Sequence, residues 1–387
     1  MKYCFCFFSI IFVEVKIFVM TNVFSYVKDV NFKNRYISPE KLFVFLKEKY
    51  GSVLEQIGTS PMGRPIYMMS IGKGRTNIVA WSQMHGNEST ATLAMLDLLE
   101  SLEYNPSLSE ELWQEIKLDF IWMLNPDGSA VWTRRNALGI DINRDFIKES
   151  SLEMSLLKEI VLRGDYHYAL NLHDQRTIFT TDAVHPATLS FLAPSENVER
   201  EITENRKRSM AVIAKIFNKL SLEIPNQIGR YSDEFYPTST GDNFMKAGIP
   251  TVLFEGGHFF DDYTRANTRQ YYTKALYYAL KAMAELKGET GEYEKYFYIP
   301  ENRETHYDII YRNVKLNTNF PCVLDVAVQY KEVYNEGDEE ISFVPYVVEV
   351  GDCSRKKGWK EIDCAGKRFV SDKKYPKLDA VVDFKIE

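Results

Sequence analysis

The sequence predicts an α/β fold: a mixed central sheet with helices on both faces, together with a small C-terminal β module. Apolar segments typical of buried strands, such as Asn77–Met84 and Ile249–Phe254, alternate with segments of helical spacing, such as Glu201–Leu222 and Thr264–Leu286. Beyond about residue 290 the helical periodicity ends, and short apolar segments alternate with charged turns. We therefore expect a main domain at residues 20–290 and a β-rich accessory module at residues 291–387.

Local signals mark several of the predicted elements. A helix begins at Ser38-Pro39-Glu40, because proline and an acidic residue favour a first helical turn, and it can end at Gly51. Asn125-Pro126-Asp127-Gly128 is a strong turn signal, and the polar segment Trp132–Phe146 is predicted to be a loop. The other predicted strands are Ile66–Ile71, Lys117–Leu124, Tyr166–Leu172, Val323–Tyr330, Ile341–Val350 and Arg368–Val370.

Composition excludes some classes of function. The net charge of −7 over 387 residues is spread along the chain without a long basic run, so nucleic-acid binding has no support. The five cysteines form no Cys-x-x-Cys motif and indicate no disulfide framework.

The first residues resemble a targeting segment in part. Tyr3–Val13 has the apolar character of a signal-peptide core, but it is too short to span a bilayer, and the charged residues Glu14 and Lys16 lie just beyond it. The sequence from Met20 onward resembles the ordinary N-terminus of a protein. We expect residues 1–19 to be an upstream extension of a cytoplasmic protein; a true export signal, giving a periplasmic or secreted protein, is the alternative.

The most informative stretch joins the strand Asn77–Met84 to a helix through His85-Gly86-Asn87-Glu88. His85 is predicted at the strand's end and Glu88 in the first helical turn. An imidazole nitrogen and a carboxylate oxygen three residues apart can hold one metal ion, and both suit Zn²⁺. By itself, a His-x-x-Glu pair more often marks a histidine in a solvated loop than a metal site.

Two further polar residues lie just after predicted strands. His173 comes after Tyr166–Leu172, and Glu255 comes after Ile249–Phe254. In an open α/β sheet, ligands bind beyond the carboxyl ends of the strands. His173 would complete two histidines and one glutamate, the ligand number of a catalytic zinc with one open position. Glu255 can then take a proton from a metal-bound water, and the glycines after it are expected to leave space for substrate. Singly, each residue is more often structural.

The loop Arg134–Phe146 places three arginines, at positions 134, 135 and 144, within eleven residues of a turn beside this predicted metal. The planar guanidinium matches a carboxylate, so the loop predicts recognition of an acidic group. A solvated charged loop is the common alternative.

Taken together, these stretches resemble the zinc carboxypeptidase family typified by the pancreatic carboxypeptidases (peptidase family M14). The resemblance covers roughly residues 40–290, and a set of motifs in this order is far more specific than any one of them. The matching elements are Gly63-Arg64-Pro65-Ile66, His85-x-x-Glu88, Asn125-Pro126-Asp127-Gly128, Arg134, Gly139-Ile140-Asp141-Ile142-Asn143-Arg144, His173 and Glu255.

The resemblance implies a zinc-dependent metallocarboxypeptidase that hydrolyses the C-terminal peptide bond of peptides. It implies that His85, Glu88 and His173 hold one Zn²⁺ per chain and that Glu255 is the general base and acid. Asp141 matches the carboxylate that orients the first histidine, a role with its own physical logic.

The resemblance also implies how substrate is held. Arg134 matches the arginine that polarises the scissile carbonyl, and Asn143 and Arg144 match the pair that receives the terminal carboxylate. A mobile tyrosine covers the substrate in this family; Tyr236 is the first candidate here, and Tyr231 is the second because the loop length departs from the pancreatic pattern.

The sequence departs from the pancreatic pattern in other places. Asn87 stands in place of an arginine, and Asp174 stands in place of a serine, so contacts to the peptide differ. The specificity pocket is expected near Gly241-Asp242. The segment Thr290–Glu387 lies beyond the family's catalytic domain and can serve an unidentified partner.

Two other functions remain open at this point. An N-acyl-amino-acid deacylase of the aspartoacylase type shares a His-Gly-Asn-Glu motif, although Gly63-Arg64-Pro65 and Asn125-Pro126-Asp127-Gly128 favour the peptidase. A non-catalytic zinc-binding scaffold would be expected to lose a ligand or the base, and this chain has kept them all.

Overall fold

A computed structural model of the chain describes residues 24–316 and 322–387. The predicted extension at residues 1–19 lies outside the described residues. The helices are α1 (Pro39–Tyr50), α2 (Thr90–Tyr104), α3 (Pro106–Glu115), α4 (Pro126–Ala130), α5 (Leu152–Arg163), α6 (Glu204–Leu220), α7 (Thr240–Lys246) and α8 (Ala266–Leu286). Short 3₁₀ helices lie at Gly51–Val53, Ile142–Arg144 and Tyr293–Tyr298.

The strands form one large sheet and two small ones. Those of the large sheet are β1 (Leu54–Thr59), β2 (Pro65–Gly72), β3 (Thr76–Trp81), β4 (Ile116–Trp122), β5 (Tyr168–Asp174), β6 (Leu189–Leu192), β7 (Ile228–Arg230) and β8 (Thr251–Gly256). Those of the small sheets are β9 (His306–Lys315), β10 (Val323–Val333), β11 (Ser342–Gly351), β12 (Lys357–Asp363), β13 (Phe369–Val370) and β14 (Lys385–Ile386).

The large sheet is mixed, as predicted, with the strand order β1-β2-β4-β3-β5-β8-β6-β7. The central strands β4, β3, β5 and β8 run parallel, whereas β1 with β2, β2 with β4, and β6 with β8 are antiparallel pairs. Because the carboxyl ends of β3, β5 and β8 meet at one edge, the segments at those ends come together there.

Helices cover both faces of this sheet. Successive side chains of a strand point to opposite faces: Ile78 and Ala80 pack in a core with α2 and α8, whereas Val79 and Trp81 pack in a second core with α5 and α7. Both faces are therefore buried, which explains why the central strands read as continuous apolar segments.

The C-terminal part is β-rich, as predicted. It contains a four-stranded sheet of order β11-β10-β9-β12 and the pair β13-β14. These sheets enclose their own apolar core, in which Val326 and Val347 are buried. The boundary between the two domains near residue 290 remains a prediction. Within the described ranges, every helix is too short or too polar to cross a membrane.

Some elements differ from the sequence prediction. The predicted turn Asn125–Gly128 begins the helix α4, because Asn125 Oδ1 accepts a hydrogen bond from Gly128 N at 2.9 Å and Pro126 occupies the first helical turn. The residues that favour a turn are also those that favour a helix start. The predicted strand Asn77–Met84 ends earlier, at Trp81. The sequence prediction missed α3, α5, α7, β1, β6, β7, β9, β12 and β14.

Candidate metal centre and active site

The corner between β3 and α2 carries the first two predicted ligands. His85 lies four residues beyond Trp81, and Glu88 lies two residues before Thr90, the first residue of α2. The prediction that Glu88 lies in the first helical turn was therefore wrong: it precedes the helix. Gly86 is required here, since a Cβ atom on it would lie 2.1 Å from the carbonyl carbon of Gly128. The His-x-x-Glu and Asn-Pro-Asp-Gly motifs are thus packed backbone to backbone.

Three predicted ligands converge in this structure. Glu88 Oε1 lies 2.9 Å from Nδ1 of His85, and Glu88 Oε2 lies 2.9 Å from Nδ1 of His173. The two Nδ1 atoms are 3.1 Å apart. All three side chains are buried, and the group is the one set of histidine, cysteine and acidic residues in the described part of the chain that could hold a metal ion.

The hydrogen bonds around His85 fit a metal ligand. Asp141 Oδ1 lies 3.1 Å from Nε2 of His85. A carboxylate at Nε2 favours the tautomer with its proton on that atom and leaves the lone pair of Nδ1 available. Nδ1 is the atom that faces Glu88 and His173. Two imidazole nitrogens and one carboxylate are a donor set that suits Zn²⁺.

The protonation states of His173 and Glu88 favour ligation, whereas burial alone would lower the pKa of His85 but Glu88 and Asp141 raise it. Burial lowers the pKa of His173 to about 4, although Glu88 opposes that shift, so this imidazole is neutral near pH 7. Burial alone would raise the pKa of Glu88, but the two histidines hold it well below its usual range. Neutral imidazole and ionised carboxylate are the forms that bind a metal ion.

Glu255 lies opposite His173 in the register between β8 and β5. Its Oε2 atom is buried and has no hydrogen-bond partner among the described residues. Burial raises the pKa of Glu255 well above its usual range, and the nearby carboxylates of Glu88 and Asp174 raise it further. Within the described part of the chain, Oε2 thus has no hydrogen bond that would prevent it from exchanging a proton near the predicted ligands.

The two glycines after Glu255 do not have the expected role. A Cβ atom on Gly257 would lie 2.0 Å from the carbonyl oxygen of Ala187, and one on Gly256 would lie 2.6 Å from Oδ1 of Asp174. Both glycines are required by close packing around β8. The sequence prediction that they leave space for substrate was wrong.

Arg134 lies beside the ligand atoms. Its Nε donates to Asp141 Oδ2 at 3.0 Å, and its Nη1 lies 3.1 Å from His85 Nδ1 and 3.3 Å from Glu88 Oε1. The Arg134 side chain is 40% exposed, so it can also turn towards a molecule bound in the cleft.

Asn143 and Arg144 lie in the 3₁₀ helix directly after Asp141. Asn143 is buried and accepts a hydrogen bond from the backbone N–H of Thr240 at 3.2 Å. Arg144 is exposed, and its guanidinium carbon lies 5.5 Å from the ring centroid of Tyr236. The predicted carboxylate-binding pair therefore adjoins the first residue of α7.

Both candidate tyrosines lie near these residues. Tyr236 is exposed and packs on Arg144. Burial raises the pKa of Tyr231 well above its usual range, and the charges of Glu255 and Glu88 raise it further, so its hydroxyl stays neutral. The choice of Tyr236 over Tyr231 remains a prediction.

Two polar residues of β5 were not assigned roles from the sequence. Asp174 accepts hydrogen bonds from the backbone N–H and the hydroxyl of Thr90, and its Oδ1 lies 3.4 Å from Nη1 of Arg265. It thereby links β5 to the start of α2. Asn171 is buried, and both atoms of its amide are without a partner within the described ranges. Its Nδ2 is 3.7 Å from where a Cβ on Gly241 would lie. An alternation of polar residues at 171 and 173 on a buried strand is the signal that could have identified Asn171.

Arg64 of the Gly-Arg-Pro motif and Asp127 of the Asn-Pro-Asp-Gly motif have a structural role. Arg64 Nη1 donates to Asp127 Oδ1 at 2.9 Å, and Asp127 also accepts from the hydroxyl of Ser60. The Gly-Arg-Pro turn and the Asn-Pro-Asp-Gly segment therefore stabilise each other next to the segment His85–Glu88, which we call the ligand corner.

Comparison with known proteins relates this chain to the zinc carboxypeptidases. The sequence model of the zinc carboxypeptidase family matches residues 40–169. Carboxypeptidase 2 of Trichophyton tonsurans is 32% identical over 96 residues, which cover 24% of this chain and 18% of the fungal protein. The chain thus spans less than a fifth of the length of this curated relative. These matches do not favour the deacylase alternative.

Solved structures share the fold at low sequence identity. Bovine thrombin-activatable fibrinolysis inhibitor, solved in complex with tick carboxypeptidase inhibitor, is 17% identical with a TM-score of 0.53, over 65% of this chain and 97% of that chain. Carboxypeptidase A from Helicoverpa armigera is 16% identical with a TM-score of 0.51, over 65% of this chain and 74% of that chain. The resemblance of this chain to the zinc carboxypeptidase family is therefore confirmed, in sequence over residues 40–169 and in fold over 65% of the chain.

Proposed function

We propose that this chain is a zinc-dependent metallocarboxypeptidase that hydrolyses the C-terminal peptide bond of peptides. One observation carries the proposal: Nδ1 of His85, Nδ1 of His173 and the Glu88 carboxylate converge, with Glu255 opposite His173 on the next strand. A non-catalytic scaffold would need the ligands but not a partnerless carboxyl group beside them.

His85, Glu88 and His173 would hold the ion. When bound there, zinc supplies Lewis-acid polarisation of the scissile carbonyl and of the attacking water. Asp141 keeps the His85 imidazole in its orientation through Nε2, and Arg134 is within reach to stabilise negative charge that develops on the carbonyl oxygen.

Glu255 would move the proton. Its Oε2 is free to take a proton from the attacking water and to deliver the same proton to the departing amine. A raised pKa suits the second half of this exchange, because the protonated carboxyl group must donate near neutral pH.

Arg144 and Asn143 would bind the terminal carboxylate of the substrate. The exposed guanidinium of Arg144 can form two parallel charge-assisted bonds to a carboxylate. Tyr236, which packs on Arg144, would then cover the substrate. Gly241, with Asn171 behind it, would line the pocket for the C-terminal side chain.

A screen of peptides with varied C-terminal residues, read by mass spectrometry, tests the proposal. We expect loss of one residue from the C-terminus, stopped by a zinc chelator and restored by added zinc. N-acyl amino acids in the same screen serve as the matched substrate control. Cleavage of those alone, or no cleavage of any peptide by zinc-loaded protein, would contradict the proposal.

A further inference from the structure

The carboxylate of Glu332, on strand β10 of the C-terminal module, lies in a contact that the proposed function does not use. Its side chain is 9% exposed, and it accepts hydrogen bonds from three donors. They are Arg35 Nη1, Arg176 Nη2 at 2.5 Å and Trp132 Nε1 at 3.0 Å. A buried carboxylate that accepts hydrogen bonds from two guanidinium groups and one indole N–H fixes the segments that carry these donors relative to one another.

Arg176 connects Glu332 to the third predicted ligand and to the corner between the first two. Arg176 lies three residues after His173. Its Nη1 donates to the carbonyl oxygen of Asn87 at 3.1 Å, and Asn87 lies between His85 and Glu88. One guanidinium thus joins Glu332 to both segments that carry metal ligands.

The other two donors connect Glu332 to the rest of the site. The carbonyl oxygen of Arg35 accepts a hydrogen bond of 2.5 Å from the hydroxyl of Ser89, the residue after Glu88. Trp132 lies two residues before Arg134. The Glu332 carboxylate therefore contacts, directly or through one residue, every segment of the main domain that carries His85, Glu88, Arg134 or His173.

We infer that Glu332 is a positioning residue of the proposed active site, and that the C-terminal module completes that site. Removing the carboxylate would leave Arg35 and Arg176 without their counter-charge. An uncompensated guanidinium in a buried place is costly, so Arg176 would turn towards solvent and release the carbonyl of Asn87. The ligand corner would then be held less firmly.

This inference rests on the proposed function, because it concerns the ligands assigned there. The test compares Glu332→Gln with Asp308→Asn in the full chain. Asp308 is a buried carboxylate of the same module and accepts from Tyr263 Oη and Tyr330 N. Among the described residues, the Asp308 side chain has no hydrogen bond to Arg35, Arg176 or Trp132, so it controls for general loosening between the module and the main domain.

Zinc affinity is measured by competition with a chromophoric chelator, alongside thermal stability and amide exchange of residues 85–90. We expect Glu332→Gln to weaken zinc binding by about tenfold, the lower end of losses seen when residues behind metal ligands are removed. Exchange at residues 85–90 should rise, and Asp308→Asn should keep wild-type zinc affinity. Equal zinc affinity in wild type and Glu332→Gln, or an equal loss in Asp308→Asn, would overturn the inference.

A second variant keeps the test open if Glu332→Gln fails to fold. Arg176→Gln changes a side chain that is 32% exposed, and it removes both the link to Asn87 and the ion pair with Glu332. It should weaken zinc binding in the same direction; wild-type affinity would overturn the inference. Wild-type protein that binds no zinc would overturn the proposed function as well. Wild-type protein that binds zinc and cleaves peptides, with unaffected variants, would overturn only the role of Glu332.

Discussion

His173 and Glu255 are directly opposed on the adjacent parallel strands β5 and β8. Side chains at paired positions of neighbouring strands point to the same face of a sheet, so a predicted ligand and the predicted base share one side of the site. This arrangement needs no loop to bring them together. It results from the register between two central strands of the large sheet.

The first prediction concerns the metal. We expect purified protein to contain about one zinc per chain, held by three protein ligands. The double variant His85→Ala, His173→Ala should lose it, whereas His185→Ala should retain it, because His185 is an exposed residue paired with Asp182. Elemental analysis of the three proteins checks this, and undiminished zinc in the double variant would refute the ligand assignment.

The second prediction concerns the substrate's free carboxylate. Amidation of the peptide C-terminus removes a charge-assisted pair of bonds to Arg144. Hydrogen bonds to charged groups are worth about 1.5–3 kcal/mol, so kcat/KM should fall by about 10- to 100-fold. The ratio of rates on free and amidated peptides measures the effect.

Variants of two arginines in one loop sharpen that experiment. Arg144→Gln should bring the ratio close to one. Arg135→Gln should leave it unchanged, because Arg135 is an exposed residue that donates to the carbonyl of Gly139. If wild type processes both peptides equally, Asn143 and Arg144 form a structural loop instead.

The third prediction concerns packing at the ligand corner. In Gly86→Ala, the new Cβ would meet the backbone of Gly128 at 2.1 Å. Overpacking of this kind costs about 1–3 kcal/mol, and it should weaken zinc binding because the His85 and Glu88 side chains move. Gly51→Ala is the control, since nothing lies within 4 Å of that position. Equal unfolding midpoints and equal zinc affinities would show that the corner is not tightly packed.

The fourth prediction concerns pH. Burial alone would raise the pKa of Glu332, but Arg35 and Arg176 lower it from 4.5 to about 2. A carboxylate with a lowered pKa in the folded state stabilises that state above the ordinary pKa, and the contribution is lost as the pH falls from about 4.5 towards 2. The stability difference between wild type and Glu332→Gln should shrink over this range by about 3 kcal/mol.

Urea unfolding at several pH values measures that difference. Asp308→Asn provides a control of opposite sign: burial raises the pKa of Asp308, so protonation stabilises the folded wild type. The free energy of unfolding of wild type, relative to that of Asp308→Asn, should therefore increase as the pH falls. A wild-type advantage over Glu332→Gln that stays constant down to pH 3 would contradict the buried ion pairs of Glu332.

The sequence contained enough to predict the central strands and the three side chains that converge at their carboxyl ends. His85 and Glu88 follow β3, whereas His173 and Glu255, which were predicted just after their strands, lie in the last two residues of β5 and β8. The parallel sheet brings such positions together whatever the details of the loops. Local patterns also predicted α1, α6 and α8, whose caps and periodicity lie within one segment.

Other features depend on contacts between distant segments. Glu332 and Arg176 are 156 residues apart in the chain, and no local pattern distinguishes Glu332 from a solvated charge. Short strands such as β6 and β7 have too few residues for a periodicity to be visible. The roles of Gly256 and Gly257 depend on Asp174 and Ala187, which only the fold brings near.

The central claim is that Glu255 transfers the proton in a zinc-dependent hydrolysis. Glu255→Gln keeps the shape of the side chain and removes the base. The measurement is kcat on a peptide with a free C-terminus, with zinc content determined on the same samples. Because general acid–base catalysis contributes about 10²–10⁴ in rate, kcat should fall by at least that range while zinc content and folding stay at wild-type values. Normal turnover in Glu255→Gln would contradict the account, and loss of zinc would make Glu255 a ligand.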